Sequence, residues 1–164
     1  MQQKDLLISY FELDSDNELL RDDLNLLNIA KDSLKSAYVP YSHYKVGSAV
    51  LLENGIIITG SNQENMAFPS GLCAERVALF AAASQHPGIT IKSIAITAQS
   101  QDFPVEEPVS PCGACRQTMI EYETIQGEPI KLILGCETGK TILVMKVGDL
   151  LPLSFKEDKL KKKL

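Results

Sequence analysis

The chain has 164 residues, 45% hydrophobic and 23% charged, a balance that suits one globular domain with a sizeable core. Its net charge of -5 argues against a surface built for duplex nucleic acid, because phosphate contacts need clustered Lys and Arg.

Residues 1–20 mix apolar side chains (Leu6, Leu7, Ile8, Tyr10, Phe11) with acidic ones (Glu12, Asp14, Asp16, Glu18) and read as an extended, loosely packed arm. Lys4 and Asp5 before a short apolar stretch do not make a signal peptide, and no apolar run is long enough to span a bilayer. Leu19, Leu20, Leu24, Leu27, Ala30, Leu34 and Ala37 recur at helical spacing and predict an amphipathic helix over 18–37. It stops before Pro40, which disfavours helical geometry at Val39. A strand over 46–52, the hairpin pair Asn54-Gly55 and a return strand over 56–59 follow. After a polar loop over 60–65 comes a helix at about 72–84, ended by Pro87-Gly88. A strand over 91–98, a proline-containing loop over 99–110, and a helix from Cys112 or Ala114 to about Glu123 come next. Strands over 130–136 and 141–147 complete the series, and the Lys-rich end 159–164 reads as a solvated tail. The order α-β-β-α-β-α-β-β predicts an α/β domain in which a mixed sheet of about five strands is covered by helices.

The chemistry concentrates at two loop-to-helix junctions. One carries Cys73, Glu75 and Arg76; the other carries Cys112 and Cys115 at C-x-x-C spacing, followed by Arg116. With no membrane span or signal, the chain is expected to be cytoplasmic, where grouped thiols stay reduced and read as metal or redox groups. Catalytic zinc sites supply three protein ligands and leave the fourth position for water, and Cys73, Cys112 and Cys115 make three. Each junction is a predicted helix N-terminus, whose positive dipole end favours thiolate. Glu75 is left beside the metal with nothing to coordinate, the arrangement hydrolytic chemistry needs. Its bland alternative is a helix-start Glu favoured by the dipole, and that of the cysteines is a closed structural site with His43 or His86 as fourth ligand. Arg76 and Arg116 are placed to hydrogen-bond the sulfurs and offset their charge. Cys136 reads as a spare buried thiol.

Four motifs carry a resemblance: Cys73-Ala74-Glu75-Arg76, Pro111-Cys112-Gly113-Ala114-Cys115-Arg116-Gln117, Tyr41-Ser42-His43-Tyr44-Lys45-Val46-Gly47, and Asn62-x-Glu64-Asn65. The chain resembles the small, homotetrameric, all-cysteine cytidine deaminases, whose zinc–glutamate chemistry belongs to a described class of zinc deaminases. The resemblance covers roughly 25–158, and so divides the chain into an arm over 1–24, a deaminase domain over 25–158 and a basic tail over 159–164. It implies a three-layer αβα sandwich, one Zn²⁺ per chain, and hydrolysis of cytidine and 2′-deoxycytidine to the uridines and ammonia in pyrimidine salvage. It also implies that Glu75 shuttles protons from the activated water to N3 and the departing amine. Asn62 and Glu64 would grip the ribose 3′-hydroxyl, the Ala74 N–H the base carbonyl, and Tyr44, replacing the usual Phe, the base or sugar. Phe68 stands where relatives often carry a Tyr near the 5′-hydroxyl. Phe155 would cover the base in a neighbouring subunit of a homotetramer with shared sites, although Leu150, Leu153 and Phe155 could equally close their own core. Neither nucleic acid nor a membrane is an expected partner. A blasticidin-type antibiotic as substrate, and a non-catalytic zinc-stabilised module, are the rival readings.

Overall fold

Leu26, Leu27 and Ala30 recur at helical spacing and are fully buried along the first helix, α1 (Arg21–Ser33), in the computed structural model, which describes residues 1–160. A short 3-10 turn, Leu34–Ser36, ends it ahead of Pro40. The other elements are the strands β1 (Phe11–Leu13), β2 (Tyr44–Leu52), β3 (Ile57–Ser61), β4 (Ile91–Ser100), β5 (Lys131–Leu134) and β6 (Thr141–Val144), and the helices α2 (Ala74–Gln85) and α3 (Gly113–Gln126). Among the described residues the strands form one sheet in the order β1-β6-β5-β4-β2-β3. Only β4 and β5 pair in parallel, joined through α3; the other neighbours are antiparallel.

The two-residue period of the strands sorts the core into two faces. Ala49, Ala95 and Ile133 point to α1 and pack with Leu26, Leu27 and Ala30. Their neighbours Val50, Ile94, Ile96, Leu132 and Leu134 point the other way, to Leu79 and Ala82 of α2 and Met119 of α3. The result is the three-layer αβα arrangement, with α1 alone on one face and α2 and α3 on the other. Two glycines let helices approach the sheet. A Cβ on Gly47 would lie 2.2 Å from the Ala30 carbonyl oxygen, and one on Gly60 would lie 2.4 Å from that of Ala74. The second contact draws the start of α2, and with it the first junction, down onto β3.

Buried charges are hydrogen-bonded or paired, as they must be. Asp23 of α1 pairs with Lys131 of β5. Glu123, near the end of α3, accepts from the amides of Ile130 (3.0 Å) and Val147 (3.1 Å) with one oxygen and from Gly148 (3.1 Å) with the other. That carboxylate ties α3 to the start of β5 and to the turn after β6.

The expected five strands are corrected to six. The sixth, β1, comes from the arm: Phe11 lies opposite Leu143 and Leu13 opposite Thr141, and Glu12 pairs with Lys140. The boundary drawn at 24/25 falls inside α1, and the strands over 130–136 and 141–147 are each shorter than expected. Of the basic tail, residues 161–164 lie outside the described residues. No described helix is long and apolar enough to cross a membrane.

Candidate active site

Cys73 and Cys112 are the N-cap residues of α2 and α3, both with extended backbone (φ -71°, ψ 151° and φ -66°, ψ 166°). Cys115 sits one turn into α3, and its sulfur lies 3.5 Å from that of Cys112. Among the described residues, these three sulfurs form the one group suited to a metal ion, all within 4.8 Å of one another. Zinc–sulfur bonds of about 2.3 Å in a tetrahedron place sulfurs roughly 3.8 Å apart, so the cluster fits zinc with small adjustments. Neither histidine joins it. His43 faces Asp102 (3.5 Å), and His86 caps the far end of α2.

The charge on the sulfurs is unevenly held. A hydrogen bond from the Cys115 thiol, opposed by burial, together with the Arg76 guanidinium, pulls Cys73 down to about 5. The same bond to Cys73 and burial push Cys115 well above the usual thiol range. Arg76 is three residues after Cys73 and so on the same helix face; its Nη2 donates to the Cys73 sulfur at 3.7 Å. Arg116 does not reach a sulfur, which corrects its expected role. Its Nε donates to the Pro111 carbonyl (2.8 Å) and its Nη1 to that of Leu150 (2.9 Å), two acceptors that the fold brings beside it.

Glu75 is the second residue of α2 and only 4% exposed. Burial, with the adjacent Cys73 thiolate, raises its carboxyl above the usual range, against its own amide and the Cys115 thiol. A cleft of about 410 Å³, an ordinary size for a small-molecule site, is lined by Glu75, Cys73 and Cys112 together with Asn62, Glu64 and Phe68.

Asn62 continues the β2–β3 ladder with its side chain. Its Oδ1 accepts from the Val46 amide (2.8 Å) and its Nδ2 donates to the Tyr44 carbonyl (2.9 Å). One amide hydrogen of Asn62 remains for a ligand. Glu64 Oε2 accepts from the amides of Tyr41 (2.9 Å) and Ser42 (3.3 Å). Against the burial that raises it, these bonds and the Ser42 hydroxyl hold its carboxyl below the usual range. The carboxylate faces the cleft and can accept from a ligand hydroxyl as well.

Ala74 is fully buried beneath the cleft, between two lining residues, so only its backbone could serve a ligand. Tyr44 does not line the cleft: its ring stacks on Phe103, 6.0 Å between centroids at 30°. Phe103 belongs to the loop over 99–110, whose course no spacing rule gives. Phe155 is also outside its own chain's cleft, 71% exposed along α3 beside Ile120 and Thr124. Tyr41, given no role by its motif, meets Phe68 edge-on at 5.7 Å on the cleft wall, and Val109 and Ser110 line the cleft without having been expected to. The last two immediately precede Pro111-Cys112, which was the available signal.

The profile of the cytidine and deoxycytidylate deaminase zinc-binding region matches residues 20–127. A cytidine deaminase from Halalkalibacterium halodurans is 39% identical over 130 residues, 79% of this chain and 91% of that one. One from Sporosarcina psychrophila is 45% identical over 98 residues, 59% of this chain and 67% of that one. The solved cytidine deaminase from Burkholderia pseudomallei superposes with a TM-score of 0.70 at 34% identity, covering 84% of this chain and all of the other.

Proposed function

The chain belongs to the cytidine and deoxycytidylate deaminase family, and from that premise we infer that it hydrolyses cytidine and 2′-deoxycytidine to the corresponding uridines with release of ammonia. The observation that carries this reading is a buried carboxylate, Glu75, beside a three-thiol cluster inside a cleft of small-molecule size.

Cys73, Cys112 and Cys115 would hold one zinc ion per chain, and the Arg76 contact to Cys73 would offset part of their negative charge. Zinc supplies Lewis-acid activation of a water for attack at C4 of the pyrimidine. Glu75 accepts the first proton that the water loses and places it on N3; it then carries the proton of the new C4 hydroxyl to the amino group, which leaves as ammonia as the C4–N bond breaks and the C4 carbonyl forms. Burial and the adjacent Cys73 thiolate raise the Glu75 carboxyl above the usual range, which makes it a better proton acceptor than an ordinary carboxylate. The Ala74 N–H, at the N-terminus of α2, orients the base carbonyl. The remaining Asn62 N–H and the Glu64 carboxylate grip the ribose 3′-hydroxyl. Tyr44 supports the sugar site at one remove, through its carbonyl, which holds the Asn62 amide.

Residues 25–158 are the catalytic unit, with 1–24 appended through β1. The enzyme works as a homotetramer in which Phe155 covers the base in a neighbouring subunit. The exposure of Phe155 outside its own cleft supports that assignment. Thiolate ligands need a reducing setting, which supports a cytoplasmic role in pyrimidine salvage.

The test is direct. Cytidine mixed with the zinc-loaded protein should lose its ultraviolet absorbance and yield one ammonia per uridine, and a chelator should stop both. Absence of ammonia would remove the reading.

A further inference from the structure

Arg116 and Gln117 directly follow Cys115 on α3, and together they grip one stretch of the C-terminal segment at both ends. Arg116 Nη1 donates to the Leu150 carbonyl at 2.9 Å while its Nε holds the Pro111 carbonyl next to Cys112. Gln117 Nε2 donates to the Phe155 carbonyl at 3.1 Å. Between the two anchors the chain bends through Pro152 and Leu153. Leu153 has a left-handed backbone (φ 57°), although it is neither glycine nor asparagine, and its side chain is 95% exposed. Such a conformation persists only where its surroundings impose it. The Leu153 side chain is not packed within its own chain, and the bend is bracketed by the anchors at 150 and 155.

We propose that Gln117 is a positioning residue for the reaction. Its amide fixes the backbone of Phe155 and so sets where that ring is presented to the substrate. The inference rests on the reading that Phe155 covers the base. The bend is thereby attached to the first turns of the helix that carries Cys112 and Cys115. The aromatic given to a neighbouring site and the metal ligands of its own site share one rigid support.

The experiment compares full-length, zinc-loaded Gln117→Glu, Gln117→Lys, Phe155→Ala and the double variant Gln117→Glu/Phe155→Ala. Glutamate keeps the shape of Gln117 but offers its carbonyl partner no donor, whereas lysine restores one. Loss of one hydrogen bond should raise KM for cytidine about three- to tenfold in Gln117→Glu, with kcat, zinc content and Tm unchanged. Gln117→Lys should recover most of that, and Phe155→Ala should raise KM at least about fivefold. The double variant should be no worse than Phe155→Ala, since the amide acts only through that residue. An impaired Phe155→Ala with a silent Gln117→Glu overturns this inference alone, as does a double variant whose two effects multiply. A silent Phe155→Ala removes the shared-site reading and this inference with it.

Discussion

Replacing Asn62 with Ala separates its two duties. The side chain accepts from Val46 at 2.8 Å and donates to Tyr44 at 2.9 Å, and its remaining N–H is assigned to the ribose 3′-hydroxyl. Alanine leaves one backbone N–H and one carbonyl of β2 without partners in a half-buried position. At about 1 kcal/mol for each ordinary hydrogen bond, with something more for the unpaired groups, the loss is about 2–3 kcal/mol. For a chain of this size 1 kcal/mol corresponds to roughly 2–4 °C, so Tm of the zinc-loaded protein should fall by about 5–10 °C. The sugar contact is lost as well, and kcat/KM for cytidine should drop roughly tenfold. Wild type should prefer cytidine to its 3′-deoxy analogue, and the variant should show a smaller preference, with the Glu64 contact remaining. Thermal unfolding and steady-state kinetics on both nucleosides measure this. An unchanged Tm would refute the strand-pinning geometry. A lowered Tm with the preference intact would confine Asn62 to a structural part.

Glu75→Gln should keep its zinc and its fold yet lose turnover by about 10⁴-fold, the upper end for one acid–base group, because Glu75 acts in more than one proton transfer. Near-normal kcat with ammonia release would dismiss Glu75 from the chemistry. Zinc uptake by the metal-free protein should strengthen with rising pH. Cys115 is pushed up and must shed its proton to bind, whereas Cys73, at about 5, is already thiolate near neutrality. Calorimetry in buffers of different ionisation enthalpy should therefore detect proton release, and uptake independent of pH from about 6 to 8 would contradict it. Mixing inactive Glu75→Gln chains with impaired Phe155→Ala chains should restore activity, since some mixed sites hold an intact Glu75 and a borrowed Phe155. Demonstrated subunit exchange without recovery would place Phe155 outside the neighbour's site.

The helices were legible because their signals are local: apolar residues at helical spacing in α1 and Pro87-Gly88 after α2; α3 runs past the expected end at about Glu123 to Gln126, where Gly127 closes it in the left-handed conformation. The central strands were legible from apolar runs. β1 was not, because its three residues are mostly exposed and carry no alternation. Its place is decided by β6, some 130 residues on, and by the pairing of Glu12 with Lys140. In the candidate site, the three thiols and Glu75 were visible because two helix starts in sequence became two helix starts in space. The arginines show where adjacency fails: Arg76 turns to sulfur, but Arg116 finds two carbonyls that only the tertiary fold brings within reach. Tyr44 was anticipated against substrate, yet Phe103 from a distant loop covers its ring.

The account stands on one metal held by Cys73, Cys112 and Cys115 and required for deamination. Metal-free protein, prepared with a chelator and titrated with zinc while ammonia from cytidine is counted, measures this most directly. Activity should be absent at the start, rise in proportion to added zinc and level off at one equivalent per chain, with Cys136→Ala behaving as wild type and Cys112→Ala never recovering. Ammonia released at the full rate before zinc is returned, or a Cys112→Ala protein that recovers fully, would contradict it.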